Sequence, residues 1–131
     1  MARQPKVEID GNEMKNILEV RYGVRAAKDR DGAPTRQVLC DGIMVRRVAD
    51  DAVDIAEWAA DANEANRKAG AITFVDANGL TMKKLEFKKA YVRQYSVEYA
   101  DDGDHVEEMF IIEPEIISLG GEEHDFDWKN K

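Results

Sequence analysis

The chain has 131 residues, of which 27 are acidic and 19 basic, for a net charge of -8. That length suits a single domain, expected over residues 1–131, with a core that needs neither disulfide nor metal. The lone Cys40 excludes a disulfide framework, no stretch has the apolarity of a signal peptide or membrane span, and the acidity argues against a nucleic-acid partner. The chain is therefore expected to fold in a reducing cytoplasm. Residues 1–100 carry 17 basic against 16 acidic side chains and residues 101–131 carry 2 against 11, so nearly all the excess charge lies in the last quarter.

Residues 1–5 read as an unstructured start, and 129–131 as an unstructured end. Lys6 to Asp10 alternates, Gly11-Asn12 follows, and Met14 to Val24 supplies β-branched and aromatic positions, which together predict a hairpin. Lys28 to Arg36 holds five charges with Gly32 and Pro34 and almost nothing apolar, so it reads as an exposed loop. Its Asp29-Arg30-Asp31-Gly32 start does not continue as a calcium loop: the glycine comes too early, and the closing carboxylate position falls on Cys40. Gln37 to Val48 resumes the strand pattern, with Asp41-Gly42 as a candidate bulge.

Asp50 to Ala69 is the one stretch that reads as a long helix. Asp50 or Asp51 suits the N-cap, Asp54 and Glu57 the first turns, Arg67 and Lys68 the last turn, and Gly70 the position past the end. Ile55, Trp58 and a run of alanines that includes Ala59, Ala62 and Ala65 share one face. Ile55 and Trp58 are expected to fix the helix to the sheet, while the alanine flank permits close approach of another chain.

Ala71 to Val75 predicts a short strand, Asp76-Ala77-Asn78-Gly79 a turn, and Thr81 onward a returning strand in which Tyr95, Val97 and Tyr99 share a face. After a turn at Asp101 to Asp104, His105 to Leu119 comes back. Met109 to Ile112 is apolar on both faces and must be covered twice, by the helix or by a neighbouring subunit, and Pro114 places an edge or bulge nearby. The tail from Gly120 is acidic and carries Phe126 and Trp128, which suits a terminal anchor.

Chemistry is thin. His105 and His124 lie in acidic, turn-like surroundings with no nucleophile patterned beside them, Cys40 reads as a small buried side chain, and no phosphate-loop motif is present. The acidic groups around Asp101 to His105 and Glu122 to Asp127 read as solvated turns rather than metal ligands. Lys83, Lys84, Lys88, Lys89 and Arg93 form a basic cluster expected to split between the two strand faces. No catalytic, cofactor or metal residue is assigned.

Several short pieces occur in a recognisable order: Asp10-Gly11 with Ile17-Leu18; Tyr22 and then Asp31-Gly32-Ala33-Pro34; Glu57-Trp58-Ala59; Gly70 to Phe74; Met82 to Tyr91; and Gly120-Gly121 followed by His124 and Trp128. In this order the chain resembles the Hcp (TssD) tube proteins of type VI secretion, in a divergent branch of short subunits. It departs from them at Phe126, where an Asn is expected. The resemblance implies a mainly β fold, a small antiparallel β-barrel with one helix over about residues 50–69 packed against it. It also implies hexameric rings stacked into a hollow tube, with contractile sheath, spike and baseplate proteins as partners and effectors as cargo. Such a subunit assembles in the cytoplasm and is secreted through the apparatus without a signal peptide. Lys28, Asp29, Arg30, Asp31 and Arg36 are then candidates for a stacking arm, its cations meeting the acidic C-terminal quarter of a subunit in the next ring. Trp58, Ala62, Met109, Ile111 and Trp128 are candidates for other subunit contacts. A phage-like or extracellular contractile particle, or a monomeric β-barrel binding module, are the alternative settings for the same pattern.

Overall fold

The computed structural model describes every residue except 1–3, 29, 51, 52, 62, 101–104, 121 and 126–131, and describes the backbone alone at 27, 34–38, 64, 100, 105 and 122–124. Among the described residues the strands are β1 (Lys6–Ile9), β2 (Asn12–Met14), β3 (Ile17–Lys28), β4 (Pro34–Val48), β5 (Lys68–Val75), β6 (Thr81–Ala100), β7 (His105–Leu119) and β8 (Glu122–Asp125). Helix α1 (Asp54–Ala59) and a 3₁₀ turn at Glu64–Asn66 separate β4 from β5.

One antiparallel sheet runs in the order β2-β1-β5-β6-β7-β4-β3, with β8 added to β7. Its two edge strands, β2 and β3, are joined in sequence by Lys15 and Asn16 alone. A sheet whose opposite edges are two residues apart has to roll up, and this short link closes the roll at one end. The Asn16 carbonyl accepts a hydrogen bond from the Val48 N–H at 3.0 Å, fixing the link to β4. Asn16 has φ of 62°, a conformation its short polar side chain tolerates. That break separates β2 from β3 where the sequence pattern suggests one continuous strand. The β1–β2 turn is as expected, with Asp10 and Gly11 both at positive φ (56° and 83°), the pairing favoured by the twist of a two-residue hairpin.

Inside the roll, alternate residues of each strand form one core. Cross-strand rows such as Val92, Ile112 and Ile43, or Val7, Ile72 and Leu85, are fully or almost fully buried. Ile55 and Trp58 join the same core at 8% and 3% exposure, so the helix plugs the inside of the roll at one end. Tyr22 stacks at a tilt on Phe74, ring centres 5.9 Å apart.

The helix is much shorter than residues 50–69. Its N-cap is Val53, with no side-chain cap, and Asp50 is engaged by Arg47 instead. Asp61 and Asn63 end it: the Asp61 carboxylate accepts from the Asn63 N–H at 3.0 Å and from the Asn66 side chain at 2.5 Å, and the Asn63 side chain accepts from the Ala65 N–H. These local bonds offer the backbone an alternative to the helical ladder, and a face made mostly of alanine does too little packing to resist them. Lys68 and Gly70 belong to β5 rather than to a helix end.

The long strands follow the sequence pattern closely. The Asp76 carboxylate holds its turn by accepting from Asn78 and Leu80, and β7 spans the expected residues. Pro114 falls in the gap on β7 between its ladder with β4, which ends at Ile112, and its ladder with β8, which starts at Ile116. Strand β8 itself is not expected from its polar composition.

Candidate functional site: the two ends of the rolled sheet

Strands β3 and β4 run the length of the molecule and finish differently at each end. At one end they leave the wall as a two-stranded arm, because β4 pairs with β7 only from Ile43 to Val48 and its earlier residues pair with β3 alone. The departure is at Gly42, with φ of 90°, opposite a register shift between Tyr22 and Val24. A side chain there would be forbidden by conformation and would press on Ile111 at 2.8 Å. Charges surround this bend. Arg25 pairs with Asp41 at 3.2 Å, and Arg93 lies 3.3 Å from Glu113 and donates to the Asp41 carbonyl. Burial raises the Glu113 carboxyl pKa, with Arg93 opposing and Asp41 adding to the rise. Burial likewise raises the Cys40 thiol pKa, in keeping with an inert side chain.

The arm corresponds to the stretch predicted as a loop, but strand pairing extends to Lys28 and Pro34, so only residues 29–33 connect the strands. Lys28, Arg30 and Asp31 are exposed on it. Asp29 lies outside the described residues, and Arg36 is on β4 with its side chain outside them.

At the other end a half-open cavity of about 790 Å³ lies between the β1–β2 hairpin, α1 and the ends of β4 and β7. Its lining includes Glu13, Met14, Arg47, Asp54, Trp58 and Glu108. Arg47 is 4% exposed and gathers four chain segments: Nη1 donates to Glu108 at 2.8 Å, Nη2 to Asp50 at 3.0 Å, and Nε to the Lys15 carbonyl at 3.1 Å. Burial works to lower its pKa, but the hydrogen bonds from Asp50 and Glu108 outweigh that and hold it above the ordinary value. The second Glu108 oxygen accepts from the Tyr95 hydroxyl at 2.5 Å; burial first, and then this bond, push the Tyr95 pKa up to about 12. Sequence reasoning misses this network, since Arg47 and Glu108 are 61 residues apart and each sits in a run of like charge.

The remaining candidates are spread over the molecule. Trp58 is buried in the subunit's own core; Ala62 and Trp128 lie outside the described residues. Met109 and Ile111 face outward and are half-buried, while their neighbours Phe110 and Ile112 are fully buried inside. The helix contributes to the inner core and packs on β6, so it is not the outer cover anticipated for this strand. In the basic cluster, register shifts on β6 place two consecutive exposed residues, Lys88-Lys89 and Arg93-Gln94, between inward-facing ones. Lys84, Lys88, Lys89 and Arg93 are therefore all exposed. Among the described residues no group of His, Cys, Asp and Glu side chains is placed to hold a metal ion.

A rolled antiparallel sheet with a helical plug, an arm at one end and a cleft at the other is the architecture of the tube subunits of contractile injection machines. The chain belongs to the TssD family, the hemolysin coregulated protein Hcp, whose family model matches residues 1–129. Among solved structures it is similar to Hcp1 from Flavobacterium johnsoniae, with 26% identity and a TM-score of 0.79 over 94% of this chain and 99% of that one. Hcp1 from Salmonella typhimurium shares the fold at 14% identity and a TM-score of 0.70, covering 95% and 96% of the two chains. A chain from the sheath/tube terminator of the PVC extracellular contractile injection system does so at 13% identity and 0.62, covering 88% and 92%. No functionally curated protein matches the sequence.

Proposed function

We propose that this chain is a structural subunit of the inner tube of a type VI secretion machine. It forms hexameric rings that stack into a hollow tube, surrounded by a contractile sheath and tipped by a spike on a baseplate. Effectors travel with it, and the subunit assembles in the cytoplasm and leaves through the apparatus without a signal peptide. The observation that carries this reading is the family match over residues 1–129, joined to a subunit whose two ends are unlike. Contacts between unlike surfaces are heterologous, so they close into rings or run on as stacks. Barrel-like rolling supports the same role by leaving few open edges to aggregate. On the outside of the roll, Met109 and Ile111 are apolar and half-covered, which fits burial against a neighbour in the ring.

Negative-stain microscopy of the purified protein tests this. Uniform rings with a central hole, and stacks of them at high concentration, are the expected result. A protein that stays monomeric at every concentration overturns it. The likeness to the PVC terminator chain favours one second reading, a tube subunit of an extracellular contractile particle. Neighbouring genes for a membrane-anchored secretion complex support the first setting, and their replacement by phage-like particle genes supports the second.

A further inference from the structure

We infer that the cavity at the plugged end of the roll is the receptor for the β3–β4 arm of a second copy of this chain in the next ring. This rests on the reading of the chain as a tube subunit, and it names the surface that the arm meets.

Three observations converge on it. The first is placement. Strand β4 enters the wall at Ile43, next to the base of the arm, and ends at Val48, beside the cavity lined by Arg47 and Asp50. Arm and cavity therefore lie at opposite ends of the same strand, separated by about 17 Å of wall at roughly 3.3 Å per residue. A copy placed end to end with another brings one arm to one cavity and leaves a free arm and a free cavity at the far ends. That is the geometry of an open stack rather than a closed pair.

The second is charge. The cavity's own cations are committed, Arg47 to Asp50 and Glu108, and Lys68 to Asp10 at 3.6 Å. Glu13, Asp54 and Glu57 remain around the rim as exposed carboxylates. The arm presents Arg25, Lys28 and Arg30, all exposed. Arg25 is shared with Asp41 at the base, so Lys28 and Arg30 are the cations nearest the tip.

The third is an unmet donor inside the cavity lining. Trp58 is 3% exposed, and its Nε1–H has no hydrogen-bond acceptor among the described residues. A buried donor without an acceptor is unfavourable, and an extended segment entering the cavity brings backbone carbonyls that a rotated indole can reach. An extended basic segment thus answers both the carboxylate rim and the indole floor, whereas a simple cation answers only the rim. The acidic last quarter of the chain offers no comparable concavity among the described residues.

The test is a charge-reversal exchange in the full-length protein, read by the length of stacks in negative stain and by sedimentation. The arm variant Lys28→Glu/Arg30→Glu and the rim variant Asp54→Lys/Glu57→Lys should each form rings while shortening stacks at least tenfold. Mixing the two variants should restore long stacks, because each reversed arm meets a reversed rim. Circular dichroism and ring formation identify a variant that fails to fold; in that case Arg30→Gln and Glu57→Gln replace the reversals, with a smaller loss of stacking expected. Wild-type stacking by rings of either single variant, or no recovery on mixing, overturns the arm-in-cavity contact while leaving the tube reading standing. Absence of rings from the wild-type protein overturns both.

Discussion

The guanidinium of Arg47 and the carboxylate of Glu108 meet at 2.8 Å, with both side chains 5% exposed, on adjacent strands at the plugged end of the roll. They form the deepest charged pair among the described residues, and Arg47 also reaches the Lys15 carbonyl in the two-residue link that closes the sheet. The same guanidinium thus ties β4, β7, the closing link and the lead-in to the helix.

Breaking that pair from one side should be costly. Arg47→Ala leaves Glu108 buried with only the Tyr95 hydroxyl, and removal of one partner of a buried pair costs about 3–5 kcal/mol. The double variant Arg47→Met/Glu108→Leu removes both charges, and its loss should be well below that of Arg47→Ala. Urea unfolding of the two variants checks the order. If both lose the same amount, the pair is not the source of the cost.

Tyr95 gives the pair a signature at alkaline pH. Its pKa in the folded protein is raised to about 12, above the ordinary value near 10, by burial and by its bond to Glu108. A tyrosine raised on folding contributes stability in full below its unfolded pKa and loses it as pH rises toward the folded value. The Tyr95 contribution should therefore be constant up to about pH 10 and fall between about pH 10 and 12. Tyr95→Phe should flatten part of the loss of stability in that window, and the absorbance titration should lose its latest-ionising tyrosine. An unchanged alkaline profile in the variant would refute the assignment.

Gly70 has a role that the sequence pattern disguises. Its position after a helical run suggests a residue past a helix end, yet it lies in the middle of the β1–β5–β6 ladder, opposite Ile9 and Phe87. A methyl group there would collide with the Glu8 carbonyl and sit 2.6 Å from the Phe87 ring. Gly70→Ala should cost about 1–3 kcal/mol, the usual range for overpacking, through displacement of β1 from β5. Hydrogen exchange should show the loss concentrated in the β1 amides. A stability change within about 0.5 kcal/mol, the range of ordinary surface substitutions, would show that β1 yields without cost.

The period-two pattern of apolar residues makes most strands legible from the sequence, and β7 falls on the expected residues because its alternation is interrupted only by Pro114. The helix is legible in kind and misleading in length. Composition and periodicity over 50–69 favour a helix, but Asp61 and Asn63 form side-chain bonds to nearby backbone that those patterns do not weigh. The arm is legible as an exposed charged stretch, although its strand pairing is not. The cavity and the Arg47 network are invisible in the sequence, since their residues come from segments far apart along the chain and meet only when the sheet rolls. Strand β8 is hidden because its partner residues on β7, rather than its own polar side chains, determine that it pairs.

Met109 provides the remaining test, of the outer wall rather than the ends. It lies on β7 between Arg46 on β4 and Ser96 on β6, half-buried and facing away from the core. A lysine at this position keeps its aliphatic stem along the surface and places its charge in solvent, so Met109→Lys should change the stability of the isolated subunit by no more than about 0.5 kcal/mol. In a ring whose neighbour covers this strand, the same charge loses its water, and truncating or charging a contact at the centre of an interface costs about 2 kcal/mol or more. Size-exclusion chromatography with light scattering should therefore show a shift from ring to monomer while the urea midpoint of the monomer stays put. A Met109→Lys protein that forms rings as readily as the wild type places the ring contact on another face of the roll, away from the β4–β7–β6 wall.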